Sequence, residues 1–233
     1  MDIKIYQLIE GAKRAEGLAV IIDVFRAFSL ECCLFAAGVK EIYPIGDLET
    51  AFAMKKADPG FLLFGERGGA KVEGCDYGNS PSSIKGADLS GRTVIHTTSA
   101  GTQGIAGASG ADEVITGSFL NAEAVAAYIK KRSPEKVSLC AMGKAGLSPA
   151  REDVLCAEYI RSLVLGKDYP ADEMLRSLRH NGGEHFFDPG TQDVYPEADF
   201  HICARRGVYR FVIRCEKDGA GRTVNRMRGE SEW

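Results

Sequence analysis

The order in which short apolar runs alternate with longer segments of helical period constrains this chain more than any other feature. Apolar, β-branched runs occupy residues 3–9, 18–24, 41–45, 61–64, 93–96, 113–116 and 136–141, each of strand length. Between them, residues 29–38, 48–57, 122–132 and 149–165 carry a helical pattern. Strands interleaved with helices of roughly ten residues or more predict βαβ units. The expected fold is therefore α/β and three-layered, with a doubly wound, mostly parallel or mixed sheet. Helix punctuation agrees. Asn121 is placed to cap a helix that carries Glu123 in its first turn and Lys130, Lys131 and Arg132 in its last, which complements the macrodipole. Ser148-Pro149 reads as a cap followed by a first-turn proline, and Gly38 and Gly166 stand where helices end.

Beyond about residue 180 the pattern changes. Asn181-Gly182-Gly183 and Asp188-Pro189-Gly190 are turn signals, and strand-like runs at 200–204 and 209–215 flank Arg205-Arg206-Gly207. These predict a C-terminal β-hairpin, either appended or forming an antiparallel edge of the main sheet. Residues 219–233, rich in Gly and Arg, read as a weak strand or a tail. The whole chain, residues 1–233, is expected to form one domain whose β-rich part begins near 181.

Charge and cysteine usage exclude several function classes. A net charge of -3 lacks the basic footprint of a nucleic-acid binder. No run reaches the ~18 apolar residues of a membrane span, and the N-terminus has no leader pattern, so a cytoplasmic protein is expected. The 7 cysteines are odd in number, lie mostly in apolar runs and form no Cys-x-x-Cys. Reduced, buried thiols fit that pattern better than a zinc ribbon or a dithiol redox site. A cysteine-phosphatase loop is also excluded, since neither Cys75 nor Cys140 is followed six positions on by arginine.

The unusual polar residues fall where strands end, which is where ligands bind open α/β sheets. Asp23, Arg26 and Ser29 follow one strand; Glu66, Arg67, Asn79 and Ser80 belong to a glycine-rich stretch, residues 65–81, after another. Thr97, Thr98, Gly101 and Thr102 follow a third, and Lys144, Arg151, Glu152 and Asp153 a fourth. Each has a structural role open to it. Asp23 can cap a helix, Arg26 can pair with it, and Glu152 and Asp153 stand in a first turn where acids are favoured anyway. Repeated at four strand ends, the pattern argues for one shared site. Cations for an anion beside carboxylates for a metal suggest phosphoryl chemistry, and oxygen ligands suggest Mg2+. Walker and Gly-x-Gly-x-x-Gly motifs are absent, as is the second aspartate of a haloacid-dehalogenase-type site.

These residues carry a family resemblance. Residues 20–27, Gly65-Glu66-Arg67-Gly68 through Gly78-Asn79-Ser80-Pro81, Thr97-Thr98 with Gly101-Thr102, and Glu152-Asp153 with Cys156-Ala157 resemble the 2-phosphosulfolactate phosphatase (ComB-like) family over nearly the whole chain. The part around Asp193 and residues 199–203 is similar only loosely. The resemblance implies a Mg2+-dependent acid phosphatase that converts 2-phosphosulfolactate to 3-sulfolactate and phosphate, a step toward coenzyme M. Phe28, Ala100 and Cys75 depart from the usual pattern close to the implied ligand, so they bear on the substrate more than on the reaction.

Asp23, Arg26 and Glu66 are thus the candidate catalytic residues, and Asp23, Glu66, Glu152 and Asp153 the candidate metal ligands. Arg67, Asn79, Ser80, Thr98, Gly101 and Thr102 are the candidate binders of a small anionic phosphoester. The alternative is a non-catalytic binder of a phosphorylated or sulfonated metabolite. A transition-metal site at His180, Glu184 and His185 is disfavoured, because Gly182-Gly183 interrupts any helix there and the spacing is not that of a helical zinc pair. His96 and His201, on apolar runs, are expected to be structural. The oligomeric state is open, a homodimer included.

Overall fold

Every residue of Leu18–Ile22 is buried, as a strand covered by helices on both faces requires. This strand (β2) lies inside a ten-stranded sheet in a computed structural model that describes residues Met1–Trp233. The other strands are β1 (Asp2–Gln7), β3 (Glu41–Pro44), β4 (Leu62–Arg67), β5 (Ala70–Lys71), β6 (Thr93–Thr97), β7 (Glu113–Gly117), β8 (Lys136–Ala141), β9 (Phe211–Lys217) and β10 (Thr223–Gly229). The helices are α1 (Leu8–Ala12), α2 (Ala27–Ala36), α3 (Leu48–Ala57), α4 (Gly101–Gly107), α5 (Ala122–Arg132), α6 (Arg151–Leu165), α7 (Ala171–Ser177) and α8 (Glu197–Cys203). The α/β class, the strands expected in the first two-thirds of the chain and a C-terminal hairpin are all present.

The strand order is β1-β8-β2-β7-β9-β10-β3-β6-β4-β5. Within β1-β8-β2-β7 all pairs are parallel, and so are those of β3-β6-β4. The hairpin β9–β10 pairs antiparallel with β7 on one side and with β3 on the other. The two parallel blocks therefore run in opposite senses, and the hairpin sits at their junction rather than at an edge.

Alternate residues of β2 face different cores. Leu18, Val20 and Ile22 pack with α5 and α6, whereas Ala19 and Ile21 pack with α1, α2 and α4. α4 follows β6 of one block yet lies against α1 and β2 of the other. That crossing requires glycine at 104, where a Cβ would lie 2.7 Å from Ile21 Cγ2 and collide with Met142. No helix is long and apolar enough to cross a membrane.

Several local expectations are corrected. Residues 200–203 of the run expected to be a strand belong to a helix, α8, because the buried Asp199, Phe200 and Cys203 share one helical face. The hairpin is instead β9–β10, and the Arg-rich stretch expected to be a weak strand or a tail is its second strand. Arg226 pairs with Glu41 at 2.8 Å and Arg228 with Glu216 at 2.6 Å, while Val212, Ile213 and Val224 are buried. The first run ends at Gln7, where α1 begins. α6 starts at Arg151 without the Ser148 cap, since Ser148 O instead accepts the Lys144 N–H at 2.8 Å in a tight turn. His201 lies on α8, exposed, within 3.2 Å of Glu197.

Gly104→Val is expected to destabilise the protein by about 1–3 kcal/mol through overpacking of the α4–β2 contact. Gly219→Ala, in open space, should stay within about 0.5 kcal/mol. Urea unfolding of both variants checks the contrast.

Candidate active site

Strand ends from both blocks open onto one pocket of about 470 Å³. β2 leads directly to Asp23 and Arg26, and β8 to Gly143 and Lys144. From the opposite block, β4 ends on Glu66 and the chain after β6 supplies Ser99 and Ala100. The first turn of α6 adds Arg151, Glu152 and Asp153. Residues 181–195 close one side with Asn181, His185 and Tyr195.

Two of the four carboxylates are consumed by backbone N–H groups. Glu66 accepts from Ser99 N at 2.6 Å on Oε1 and from Gly69 N at 2.8 Å on Oε2. Asp153 accepts from Val24 N and from Gly143 N, one on each oxygen, both at 2.8 Å. Glu66 thereby fastens the β6–α4 connection to the β4–β5 turn. Asp153 fastens α6 to the ends of β2 and β8.

Asp23 and Glu152 are buried but freer. Asp23 Oδ1 accepts a long bond from Ala27 N at 3.3 Å, and Oδ2 has no donor. Glu152 makes no hydrogen bond to another side chain and is 8% exposed. Burial, then the charges of Asp153 and Glu66, push the Asp23 carboxyl up to about 8. Burial, with Asp23 and Glu184 adding, pushes Glu152 up to about 7. Burial and Glu152 also raise Asp153, against the two N–H bonds that favour its anion.

The donor set fits a hard divalent cation, since buried carboxylate oxygens without donors repel one another until a cation joins them. No three Asp, Glu, His or Cys side chains form a closed ligand group anywhere in the chain. Mg2+ asks for none, because it is usually held by one or two carboxylates together with water and substrate oxygens. Asp23 and Glu152 are the pair with oxygens to offer. The disfavoured grouping of His180, Glu184 and His185 does not form, and Glu184 instead accepts the Gly182 N–H at 2.8 Å.

Cations face these acids. Arg26, 3% exposed, donates Nη1 to Asp199 and to the Val194 carbonyl and Nη2 to the Gly69 carbonyl, each at 2.8 Å. Of the five guanidinium N–H groups, Nε–H and one on Nη2 remain free. Its guanidinium also lies 4.9 Å from the Tyr195 ring centroid. Lys144 and Arg151 are exposed at the rim and make no ion pair. His185 packs against Phe186 and Tyr195, and burial, with Arg26 and Lys144 beside it, lowers its pKa.

The pocket thus takes in Asp23, Arg26, Glu66, Asn79, Glu152 and Asp153, but not every residue expected there. Arg67 points away, donating to the carbonyls of Glu66 and Gly46 and to Thr97 Oγ1 at 2.6, 2.9 and 3.0 Å. The pleat explains this, since neighbours on β4 face opposite ways. Ser80 donates to buried Asp199 at 2.9 Å, behind the pocket wall. Thr98 and Thr102 bond to each other, with Thr102 N to Thr98 Oγ1 at 3.2 Å. Gly101 backs the site without lining it, because a Cβ there would lie 3.0 Å from Asp23 Oδ2. Lys144 and Arg151, singled out at a strand and helix end, do line the pocket, as does Ser99 of the 98–102 loop. His185 and Tyr195 were not among the expected site residues; they arrive from an irregular segment with no periodic signal.

Fold and pocket together define an α/β protein that gathers acids and cations around one pocket at its strand ends. The chain belongs to the 2-phosphosulfolactate phosphatase family: the family model described as 2-phosphosulpholactate phosphatase matches residues 3–218. A probable 2-phosphosulfolactate phosphatase of Bacillus subtilis (strain 168) is 29% identical over 97% of this chain and 99% of its own length. One of Clostridium perfringens (strain SM101 / Type A) is 36% identical over 89% of each chain. Another, of Carboxydothermus hydrogenoformans, is 40% identical over 70% of this chain and 68% of its own.

The buried acids make stability depend on pH. Folded Asp23 and Glu152, at about 8 and about 7, keep protons that the unfolded chain releases near the ordinary values of 3.8 and 4.5. Between about pH 4 and about pH 8 these two groups bind more protons in the native state, so their contribution to metal-free stability falls as pH rises. Asp23→Asn flattens that slope. Thermal melts of wild type and Asp23→Asn across the window measure the difference, and a slope unchanged by the substitution would refute the assignment.

Proposed function

We propose that the protein is a Mg2+-dependent phosphatase acting on a small, acidic phosphomonoester of the 2-phosphosulfolactate type, releasing 3-sulfolactate and phosphate. The observation that carries this reading is the joining of free buried carboxylates to arginine and lysine across one pocket at the strand ends. A pure anion binder gains nothing from four acids beside its ligand, whereas a metal-assisted phosphatase needs them. The names of the relatives support the substrate class. A place in coenzyme M synthesis, in the cytoplasm, is part of the same proposal.

Mg2+, when bound, supplies Lewis-acid polarisation of the phosphoryl oxygens. Asp23 and Glu152 hold it, and Asp153 and Glu66 keep the surrounding backbone in place through their N–H bonds. Arg26 offers its two free N–H groups to the phosphoryl oxygens, a charge-assisted contact. Lys144 and Arg151 meet the remaining anionic group at the mouth.

Phosphate release from a panel of acidic phosphomonoesters, with Mg2+ and with EDTA, tests the proposal. Release that requires Mg2+ is expected, and Asp23→Asn should lower kcat/KM beyond the roughly 10–100-fold typical of residues that only support a ligand. Thermal stabilisation by such esters with no phosphate released would instead establish a binding protein.

A further inference from the structure

Glu31 lies within α2, fully buried, and no role described so far uses it. Its Oε2 accepts from Asn225 Nδ2 at 2.8 Å, and its Oε1 faces His96 Nδ1 at 3.0 Å. His96 in turn sets Nε2 3.2 Å from Oδ1 of Asn79, on the pocket wall. Glu31, His96 and Asn225 are all 0% exposed, so a polar chain runs dry from β10 through α2 and β6 to the pocket.

The chemistry of this chain fixes its direction. A carboxylate at such depth needs a cationic partner, and His96 is the one group that pairs with Glu31. Nδ1 of the ring faces the Glu31 carboxylate, and Nε2 faces the Asn79 amide oxygen, an acceptor to which Nε2–H donates. Asn79 is held with its carbonyl inward, and its Nδ2 amide, which has no protein partner, is left for the pocket.

We propose that Glu31 and His96 are positioning residues that fix the Asn79 amide as a hydrogen-bond donor to the substrate's anionic group. The identity of that anion rests on the phosphatase reading; the orientation rests on geometry alone. In Glu31→Gln the carboxylate that faces Nδ1 is replaced by an amide, the ring is no longer held from behind, and the Asn79 amide is free to turn its oxygen toward the phosphate.

The experiment is calorimetric binding of inorganic phosphate, with Mg2+ present, to the full chain, to Asn79→Ala, to Glu31→Gln and to the double variant, each checked for folding by circular dichroism. Each single change should weaken binding roughly 10- to 100-fold, the scale of one hydrogen bond to a charged group, and the double variant should be no weaker than Asn79→Ala. Wild-type affinity in Glu31→Gln, or losses that add in the double variant, overturns the proposal. Because a change at a buried site can cost the fold, the 15N shifts of His96 in the wild type give an independent reading. A protonated Nε2 supports the orientation, and a lone pair at Nε2 overturns it. A wild type that neither binds nor releases phosphate would overturn the phosphatase reading, while the His96 shifts would still decide the orientation.

Discussion

Backbone N–H groups hold two buried carboxylates in place, and the geometry of the pocket depends on those bonds. Asp153 joins the first turn of α6 to the ends of β2 and β8, and Glu66 joins the β4–β5 turn to the segment entering α4. A carboxylate placed this far from water loses several kcal/mol of hydration, and N–H donors on both oxygens offset much of that loss. Neither acid is replaceable by its amide without turning an acceptor into a donor against an N–H. The same bonds leave Asp23 facing both charges, which add to burial in raising its pKa. Structural clamps on one pair of acids thus tune Asp23.

The sheet sets what those clamps must join. Blocks of opposite sense point their carboxyl ends away from each other in a flat sheet, and accumulated twist together with the crossing of α4 brings them to one pocket. Glu66 lies on that seam, as does Asn79. Arg26 ties it from the other side by gripping Asp199, Val194 and Gly69 together. Asp199 also accepts from Ser80 and Ser82 N, so a single carboxylate connects α8, the loop after β5 and the guanidinium. Ser80, one residue from the pocket wall, serves the site through this connection.

Much of this arrangement is legible in residue order. The run at 18–24 reads as a strand, and the acid and arginine at its end follow the strand-end rule. The hairpin is less so, because Arg214, Arg226 and Arg228 depress the apolar signal of strands whose buried positions are few. Its arginines pair with acids on neighbouring strands, information that local pattern does not hold. Phe200 likewise reads as the start of a strand until the tertiary burial of Cys203, on the same helical face, selects a helix. Within the site, Arg67 misleads because strand pleat decides its direction, and a glycine-rich segment hides which residues keep that pleat. Of the departures from the family pattern, Ala100 lines the pocket. Phe28 and Cys75 are buried behind it, against Gly101 and Gly65.

Stability does not account for the polar chain through Glu31 and His96. Buried ion pairs are commonly no better than apolar side chains of similar volume, and often worse. Here the surroundings are apolar, since Leu30, Leu34, Ile42 and Val94 fill the neighbouring core. Asn225 even leaves its Oδ1 without a partner while holding Glu31, an arrangement that costs folding free energy. Apolar side chains of similar volume at all three positions would remove that cost. They would also leave Asn79 free to present either its oxygen or its nitrogen to the pocket. A polar chain that weakens the core but ends on a pocket amide is best understood by what that amide faces, since orientation is the one property an apolar core cannot supply.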